Sequence, residues 1–310
     1  MVATSAFLSW LLASSTPTIR YLALTRLADP APDVSQAESA WQQIPLTGPV
    51  PILLAGQTAL GNWNVDRSYY TPKYTSTHWS MLLLAEFSAG QPSEQARLGA
   101  DFMLSATAKE LKGPPDSWDC GLACFWGNLL RYALLSGVGE DPRLARVVDY
   151  LQREAANQWT CSYNYGQPCA WGAARGLWGL AAIPPAQRTP AIEKALDSGL
   201  RFLLEEHDLR AADYPPREER SRLWHRLNFP LFYQADILFV LRLLGELDAL
   251  DHPGAAPALD WLAAKRLANG RWRGSSPYRN RTWKDLAPTS ETDRWVSLQA
   301  ALLLKQAQRA

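Results

Sequence analysis

The chain has almost no excess charge, no long apolar run and few cysteines, and each scarcity excludes a class of protein. Its 31 Lys and Arg against 30 Asp and Glu leave a formal net charge of +1, so the electrostatic basis for binding nucleic acid is missing. No apolar stretch approaches the roughly 18 residues that a membrane span requires. The hydrophobic share of 47 % and charged share of 20 % are typical of folded globular proteins.

The N-terminal segment lacks the basic residues of a signal peptide. Residues 6–13 are apolar, but no Lys or Arg precedes Arg20, and a signal peptide begins with a positively charged region. We therefore expect a soluble cytoplasmic protein, in which four cysteines are reduced or metal-bound more often than paired. What the chain has in abundance is aromatic rings. Its 14 Trp, 11 Tyr and 8 Phe require a large core or a cavity to line.

Two kinds of helix alternate along the sequence, with pairs recurring at roughly 40 to 60 residues. The first kind is amphipathic. In residues 142–156 apolar side chains recur at i, i+3, i+4 and i+7, and charged ones, Glu154 among them, are expected to face solvent. The second kind, such as 295–304, is apolar on every side and must therefore be covered on every side.

This alternation predicts an all-α protein with a single domain over residues 1–310. Six outer and six inner helices are expected to close into one (α/α)6 toroid, because the first and last inner helices are too apolar to be exposed ends. An open α-solenoid built from the same pairs is the alternative. The predicted outer helices are 4–13, 33–56, 93–110, 142–156, 190–206 and 255–268, and the predicted inner helices are 17–28, 77–90, 122–138, 168–183, 230–245 and 293–307.

Two short motifs resemble those of a known family. Residues 57–63 read QTALGNW and residues 268–272 read ANGRW, with a degenerate copy at 152–159. Both resemble the QW-type motifs of squalene and hopene cyclases. Over about residues 17–307 the chain resembles the terpene cyclase and protein prenyltransferase superfamily of α/α toroids. In this interpretation the glycine ends an outer helix in a left-handed turn, and Trp63 or Trp272 packs between neighbouring helix pairs.

The sequence departs from that family where the family's chemistry resides. It has no DxDD motif, since residues 116–119 have the wrong spacing, and no DDxxD motif. A standard polyene cyclase is therefore not expected. The Asp-x-Cys pattern of the prenyltransferase zinc site is also absent from the sequence. The resemblance consequently implies a fold more strongly than an activity.

The four cysteines form the most informative group of residues. Cys120 and Cys124 lie at the start of the third inner helix, and Cys161 and Cys169 at the start of the fourth, so a toroid would bring all four to one end. Four thiolates would hold Zn²⁺ tetrahedrally in a structural role, and an iron–sulfur cluster is a less favoured cofactor. Inert buried thiols and one or two disulfides stay open as alternatives, because CxxxC with Cx7C is not a standard zinc spacing.

His78 and Asp236 are the candidate acid–base residues. His78 lies just before an inner helix, and Asp236 lies within an apolar segment where a carboxylate needs water or a cationic partner. The structural alternatives are that His78 caps its helix and that Asp236 pairs with a buried arginine such as Arg175. The candidate substrate-binding residues are Tyr70, Trp79, Trp126, Tyr163, Tyr165, Trp171, Tyr233 and Trp295.

Three functions compete at this point. The first is an enzyme-like toroid whose aromatic cavity takes a small apolar, isoprenoid-like substrate, with ring faces that stabilise a developing carbocation. The second is a carbohydrate-active hydrolase or lyase, in which the rings stack on sugars and two carboxylates act. The third is a non-catalytic binding or scaffold protein with a filled cavity. The carboxylates available to the second function are Asp66, Asp119, Asp236 and Asp285.

Overall fold

The computed structural model describes residues 5–28, 34–63, 68–114, 118, 121–207, 209, 221–284, 286 and 288–309. Over these residues the protein is mostly helical, which confirms the all-α prediction. The helices are α1 Ser5–Leu12, α2 Pro17–Leu22, α3 Val34–Gln43, α4 Pro49–Leu54, α5 Thr77–Phe87, α6 Glu94–Thr107, α7 Ala123–Leu135, α8 Arg143–Ala156, α9 Ala170–Ala181, α10 Pro190–Arg201, α11 Ile237–Glu246, α12 Ala256–Ala264 and α13 Thr289–Gln306.

A few shorter elements complete the description. One π-helical turn, Ala23–Leu27, continues α2, and another, Phe202–Glu206, continues α10. Strands β1, Thr160–Cys161, and β2, Gln167–Pro168, form an antiparallel hairpin between α8 and α9. Among the described helices, none combines the length and the apolarity that crossing a bilayer demands.

Burial separates the helices into two kinds. Helix α5 is buried on every face, and so are almost all of α9 and α11. Helices α8 and α10 instead bury one stripe and expose the rest. Because a helix that is apolar all round must be covered all round, the first group occupies the interior and the second the outside.

The interior helices contact one another in chain order. Helix α5 packs on α7, α7 on α9, α9 on α11, and α11 on α13. At the ends of the chain α13 packs on α2, while the Thr18 hydroxyl of α2 donates a hydrogen bond to the Phe87 carbonyl at the end of α5. The buried helices thus follow one another in space in the order in which they occur along the chain.

Two predicted helices have different bounds in the structure. The segment 33–56 is divided into α3 and α4, because Gly48 has a φ of +75° and Pro49 begins a new helix. The segment 230–245 becomes helical only at Ile237, and Asp236 is the N-cap of α11 rather than a residue inside it. The apolar side chains before Asp236 belong to a buried non-helical segment, which periodicity alone cannot distinguish from a buried helix.

Glu154 is a further correction, because it is fully buried rather than exposed to solvent. Its carboxylate accepts hydrogen bonds from the Gly121 backbone N–H at 3.0 and 3.1 Å. Glu154 lies three residues after Leu151 and seven after Val147, so it continues the buried stripe of α8. This carboxylate therefore attaches α8 to the segment that leads into α7.

The two QW-type segments fold into the same turn. Gly61 has a φ of +86° and Gly270 a φ of +79°, values that favour glycine. Trp63 and Trp272 are both buried, and each indole donates a hydrogen bond of 2.8 Å to a carbonyl in the last turn of the preceding outer helix, α4 or α12. The two motifs thus perform one structural task twice, which is to attach a turn to the end of an outer helix.

Helices α7 and α9 pack with their backbones in direct contact. A Cβ added to Gly127 would overlap the carbonyl of Arg175, and one added to Gly179 would overlap the carbonyl of Gly127. Each of the two helices carries a cysteine at its start. Cys124 is the second residue of α7, and Cys169 is the N-cap of α9. The glycine contact therefore fixes how far apart these two thiols lie.

We predict that Gly127→Ala destabilises the protein by about 2 kcal/mol or more, because its Cβ would meet backbone atoms that cannot rotate away. Gly172→Ala in α9 is the matched control. Its Cβ would have no neighbour closer than 3.7 Å, and alanine favours helix, so no loss is expected. Urea unfolding of both variants measures the difference, and equal stabilities would contradict the close helix contact.

Candidate functional site

A cavity of about 500 Å³ opens at the end of the protein where α7 and α9 begin. Three cysteines, Cys124, Cys161 and Cys169, contribute to its wall. The loop before α5 and the segment before α11 supply half of the aromatic wall. The aromatic lining residues are Tyr69, Tyr70, Phe125, Tyr163, Trp171 and Tyr233.

Four of the eight predicted substrate-binding residues meet in this cavity, namely Tyr70, Tyr163, Trp171 and Tyr233. The other four are placed elsewhere. Trp79 is buried behind the wall, where its indole donates to the Tyr70 carbonyl at 2.8 Å, and Tyr165 is an exposed residue of the β1–β2 hairpin.

Trp126 and Trp295 lie at other cavities. Trp126 packs against Tyr150 of the outer helix α8, with 5.5 Å between ring centroids, and lines a small outer cavity. Trp295 stacks on Phe229 at 4.4 Å and lines a separate cavity with the later turns of the inner helices. Both tryptophans lie on inner helices, as predicted, but helix assignment alone did not give the direction of their side chains.

Cys161 and Cys169 lie on opposite sides of the β1–β2 hairpin, two positions apart in its register. Cys161 pairs with Gln167, and the Cys169 N–H donates to the Trp159 carbonyl at 3.0 Å. Cys169 Sγ also accepts the Gly172 N–H at 3.4 Å, in the first turn of α9. The hairpin and the helix start thus hold the two sulfurs together.

The two thiols of this pair have different proton affinities. The hydrogen bond from Cys169, followed by the backbone N–H groups of Tyr163 and Asn164, lowers the pKa of Cys161 to about 6. The same hydrogen bond and burial raise the pKa of Cys169 well above its usual value. Cys124 is separate from the pair, and burial raises its pKa to about 12. The interaction between the two thiols thus acts in opposite directions on their pKa values, lowering that of Cys161 and raising that of Cys169.

The cysteines also bear on the predicted zinc site. Within the described residues, no group of three or more His, Cys, Asp or Glu side chains is arranged to hold a metal ion. Cys120, the fourth predicted ligand, lies outside the described residues. The three cysteines that are described share a cavity wall without forming a ligand set, and the binding of zinc or an iron–sulfur cluster stays a prediction.

Lys73 brings a positive charge to the aromatic side of the cavity. Its Nζ lies 5.1 Å from the ring centroid of Tyr233 and 5.6 Å from that of Tyr70. Burial raises the pKa of both phenols, to about 12 for Tyr233, so both stay protonated at neutral pH. Among the described lining residues the one carboxylate is Glu110, which accepts a hydrogen bond from the Tyr69 hydroxyl.

His78 is completely buried in the first turn of α5 and does not line the cavity. Its ring stacks on Phe125, a lining residue, with 4.5 Å between centroids. Nδ1 lies 3.2 Å from the Tyr132 hydroxyl, and Nε2 has no hydrogen-bond partner among the described residues. Burial, and then the charge of Arg175, lowers the pKa of His78 to about 3, so the imidazole is neutral at pH 7.

Asp236 is buried and fully engaged in hydrogen bonds. Oδ1 accepts the Phe239 N–H at 2.8 Å, and Oδ2 accepts both the backbone N–H and the side-chain amide of Asn228 at 2.8 Å. Burial raises the pKa of Asp236 to about 6, and these hydrogen bonds act in the opposite direction. Arg175 donates instead to the Gln234 carbonyl, at 2.6 and 3.0 Å. Asp236 therefore joins the segment before α11 to the helix itself.

Sequence reasoning missed the burial of Glu154 and the hydrogen-bond partners of Arg175, which was expected to be buried but to pair with Asp236. Arg175 lies inside α9, and its Nη1 also reaches Asn128 of α7 at 3.5 Å. The sequence contained a sign of each. Glu154 continues the apolar stripe of its helix, which indicates burial, and Arg175 interrupts an apolar helix, which indicates a buried polar contact. No family model, curated protein or solved structure gives a significant match to this chain, so the site rests on its own geometry.

We predict that Asp236→Asn lowers the free energy of unfolding by about 3 kcal/mol, because the new amide would direct N–H groups at the donors of Asn228 or Phe239. Ser93→Ala removes the partly exposed N-cap of α6 and should cost about 1 kcal/mol. Urea unfolding at pH 7.5 compares the two variants. An Asp236→Asn protein as stable as the wild type would contradict the structural role.

We also predict that burial of neutral His78 makes stability depend on pH. Its pKa in the fold is about 3, below the ordinary 6.5, so the unfolded chain binds the proton more tightly. The contribution is complete above about pH 6.5 and is lost as the pH falls toward 3, by about 2 kcal/mol at pH 5.

The measurement is urea unfolding of the wild type and of His78→Gln at pH 7.5, 6 and 5, values chosen to span the upper part of this window. Asp236 and Glu154, whose pKa values burial raises, are present in both proteins and largely cancel in the difference. The wild type should lose more stability than the variant as the pH falls. Parallel curves would show that His78 is not buried in its neutral form.

Proposed function

We propose that the chain is a closed (α/α)6 toroid whose aromatic cavity binds a small apolar, isoprenoid-like molecule. Contacts between the chain ends support closure. Lys305 Nζ of α13 donates to the Arg26 carbonyl at 3.1 Å, and Arg294 Nε donates to the Trp10 carbonyl of α1 at 3.0 Å. A second cavity, of about 560 Å³, is bordered by residues of all six inner helices, including Leu22, Ala85, Arg131, Trp178, Arg242 and Gln299.

The observation that carries the proposed function is the six-ring wall of the 500 Å³ cavity. Pockets for small molecules commonly have volumes of about 300 to 1,000 Å³ and are mostly apolar with a few polar groups. Here the phenols are neutral, and Lys73 is the one cation among the described lining residues. Aromatic faces suit an apolar chain and would also stabilise a positive charge that develops on it.

The scarcity of carboxylates among the described lining residues favours an apolar ligand over a sugar. Glycoside hydrolysis canonically needs two carboxyl groups on either side of the scissile bond. Among the described lining residues only Glu110 offers one, and Asp236 is engaged as a helix cap. Asp66, Asp119 and Asp285 lie outside the described residues. The proposal concerns binding and assigns no catalytic step to His78 or Asp236, since neither lines the cavity.

We predict that farnesol, a small isoprenoid alcohol, binds the protein and that Trp171→Ala and Tyr233→Ala each weaken this binding by about tenfold, because each removes one apolar ring face. Isothermal titration calorimetry measures the affinity. Trp261→Ala is the control, since Trp261 is half-buried like Trp171 but lies on the outer helix α12. Binding of cellotetraose in place of farnesol would favour the carbohydrate alternative, and equal losses in all three variants would contradict the assigned cavity.

A further inference from the structure

The β1–β2 hairpin presents two thiols beside an accessible cavity. Cys161 is partly exposed and Cys169 is buried, and both line the cavity wall. The hairpin turn is open to solvent, with Tyr163 83 % and Tyr165 71 % exposed. A small molecule that enters the cavity would therefore meet the sulfur of Cys161 before that of Cys169.

We propose that Cys161 and Cys169 form a redox-active dithiol that exchanges with small disulfide compounds and closes into a disulfide across the hairpin. Cys161 and Cys169 lie on the two sides of one short hairpin and line the same cavity wall, so a local rearrangement of the hairpin could bring the sulfurs to the S–S bonding distance of about 2 Å. The proposal does not depend on the apolar ligand, because it rests on the hairpin and on the start of α9.

The surroundings give the two sulfurs different roles. Cys161 is the partly exposed sulfur and lines the cavity, so a small disulfide compound can reach it, and its thiolate is the nucleophilic form. Cys169 keeps its proton and lies at the N-cap of α9, where the Gly172 N–H stabilises negative charge on its sulfur. Cys161 is thus the attacking sulfur and Cys169 the resolving one.

The exchange proceeds in two balanced steps. The Cys161 thiolate attacks one sulfur of oxidised glutathione, the S–S bond breaks, and one glutathione thiolate leaves and takes up a proton from water. Cys169 then loses its proton to solvent and attacks the Cys161 sulfur of the mixed disulfide, which expels the second glutathione thiolate. Two thiols of the protein are oxidised to one disulfide, and one disulfide is reduced to two glutathione thiols.

The chain offers a direct way to identify the disulfide. Trypsin cleavage places Cys161 and Cys169 in one peptide, 154–175, and Cys120 and Cys124 in another, 113–131. The full-length protein is incubated with oxidised glutathione, alkylated and digested, and the released glutathione is quantified. We expect peptide 154–175 to be two hydrogens lighter and unalkylated, with two glutathiones released per chain and reversal by dithiothreitol.

Matched variants distinguish the two roles. Cys169→Ser should stop at a lasting mixed disulfide on Cys161 and release one glutathione, and Cys161→Ser should lose the exchange. Ser162→Ala, an exposed position in the same hairpin, should behave as the wild type. Circular dichroism confirms that each variant is folded, and serine closely matches cysteine in shape.

Several results would overturn the proposal. A cross-link between peptides 113–131 and 154–175 would show that Cys161 or Cys169 pairs with Cys120 or Cys124 instead of with its neighbour in the hairpin. A mixed disulfide that persists in the wild type would show that Cys169 cannot resolve it. Thiols that stay unreactive until a chelator removes bound zinc would assign the four cysteines to a metal site. Loss of farnesol binding without loss of exchange would count against the proposed function alone.

Discussion

The direct backbone contact between α7 and α9 determines the positions of the groups around the cavity. Gly127 and Gly179 bring the two helices together without intervening side chains, so the starts of these helices carry Cys124 and Cys169 to one wall. Glu154 fixes the approach to α7 from the other side through the Gly121 N–H. A shift of either helix would therefore alter the cavity wall and the thiol pair together.

Buried polar groups then connect the helices to the segments between them. Arg175 of α9 binds the Gln234 carbonyl before α11, and Asp236 binds Asn228 of the same segment. Each group is costly to bury alone and is satisfied by hydrogen-bond partners, which for Arg175 lie 59 residues further along the chain. Non-helical backbone can consequently lie in the interior of an otherwise helical protein, where it forms part of the cavity wall through Tyr233.

The sequence alone predicted that amphipathic and fully buried helices alternate, but it did not predict the directions in which individual side chains point. Periodicity separates α8 from α5 because burial on one face or on all faces follows from where apolar residues recur. The same reasoning failed for Asp236, because the buried segment before α11 is as apolar as the helix. It also failed for Glu154. A carboxylate is ordinarily expected to face solvent, but the position of Glu154 in the helix continues the buried stripe of α8. Trp126 and Trp295 show that an aromatic residue on an inner helix need not face the cavity.

The two ends of the inner helices differ in charge in a way that favours thiol chemistry at one of them. At the cavity end, the starts of α7 and α9 place helix N-termini beside Cys124 and Cys169. The N–H groups of these helix starts lower the pKa of both thiols, although burial and neighbouring groups raise it by more. At the opposite end, Arg131 pairs with Glu246 at 2.6 Å and Arg242 with Glu86 at 2.9 Å. Within each ion pair the two charges neutralise one another, close to the C-terminal ends of the helices. A thiolate near the C-terminal ends would face the negative end of each helix dipole, whereas at the N-terminal ends the helix dipole reduces the cost of forming a thiolate.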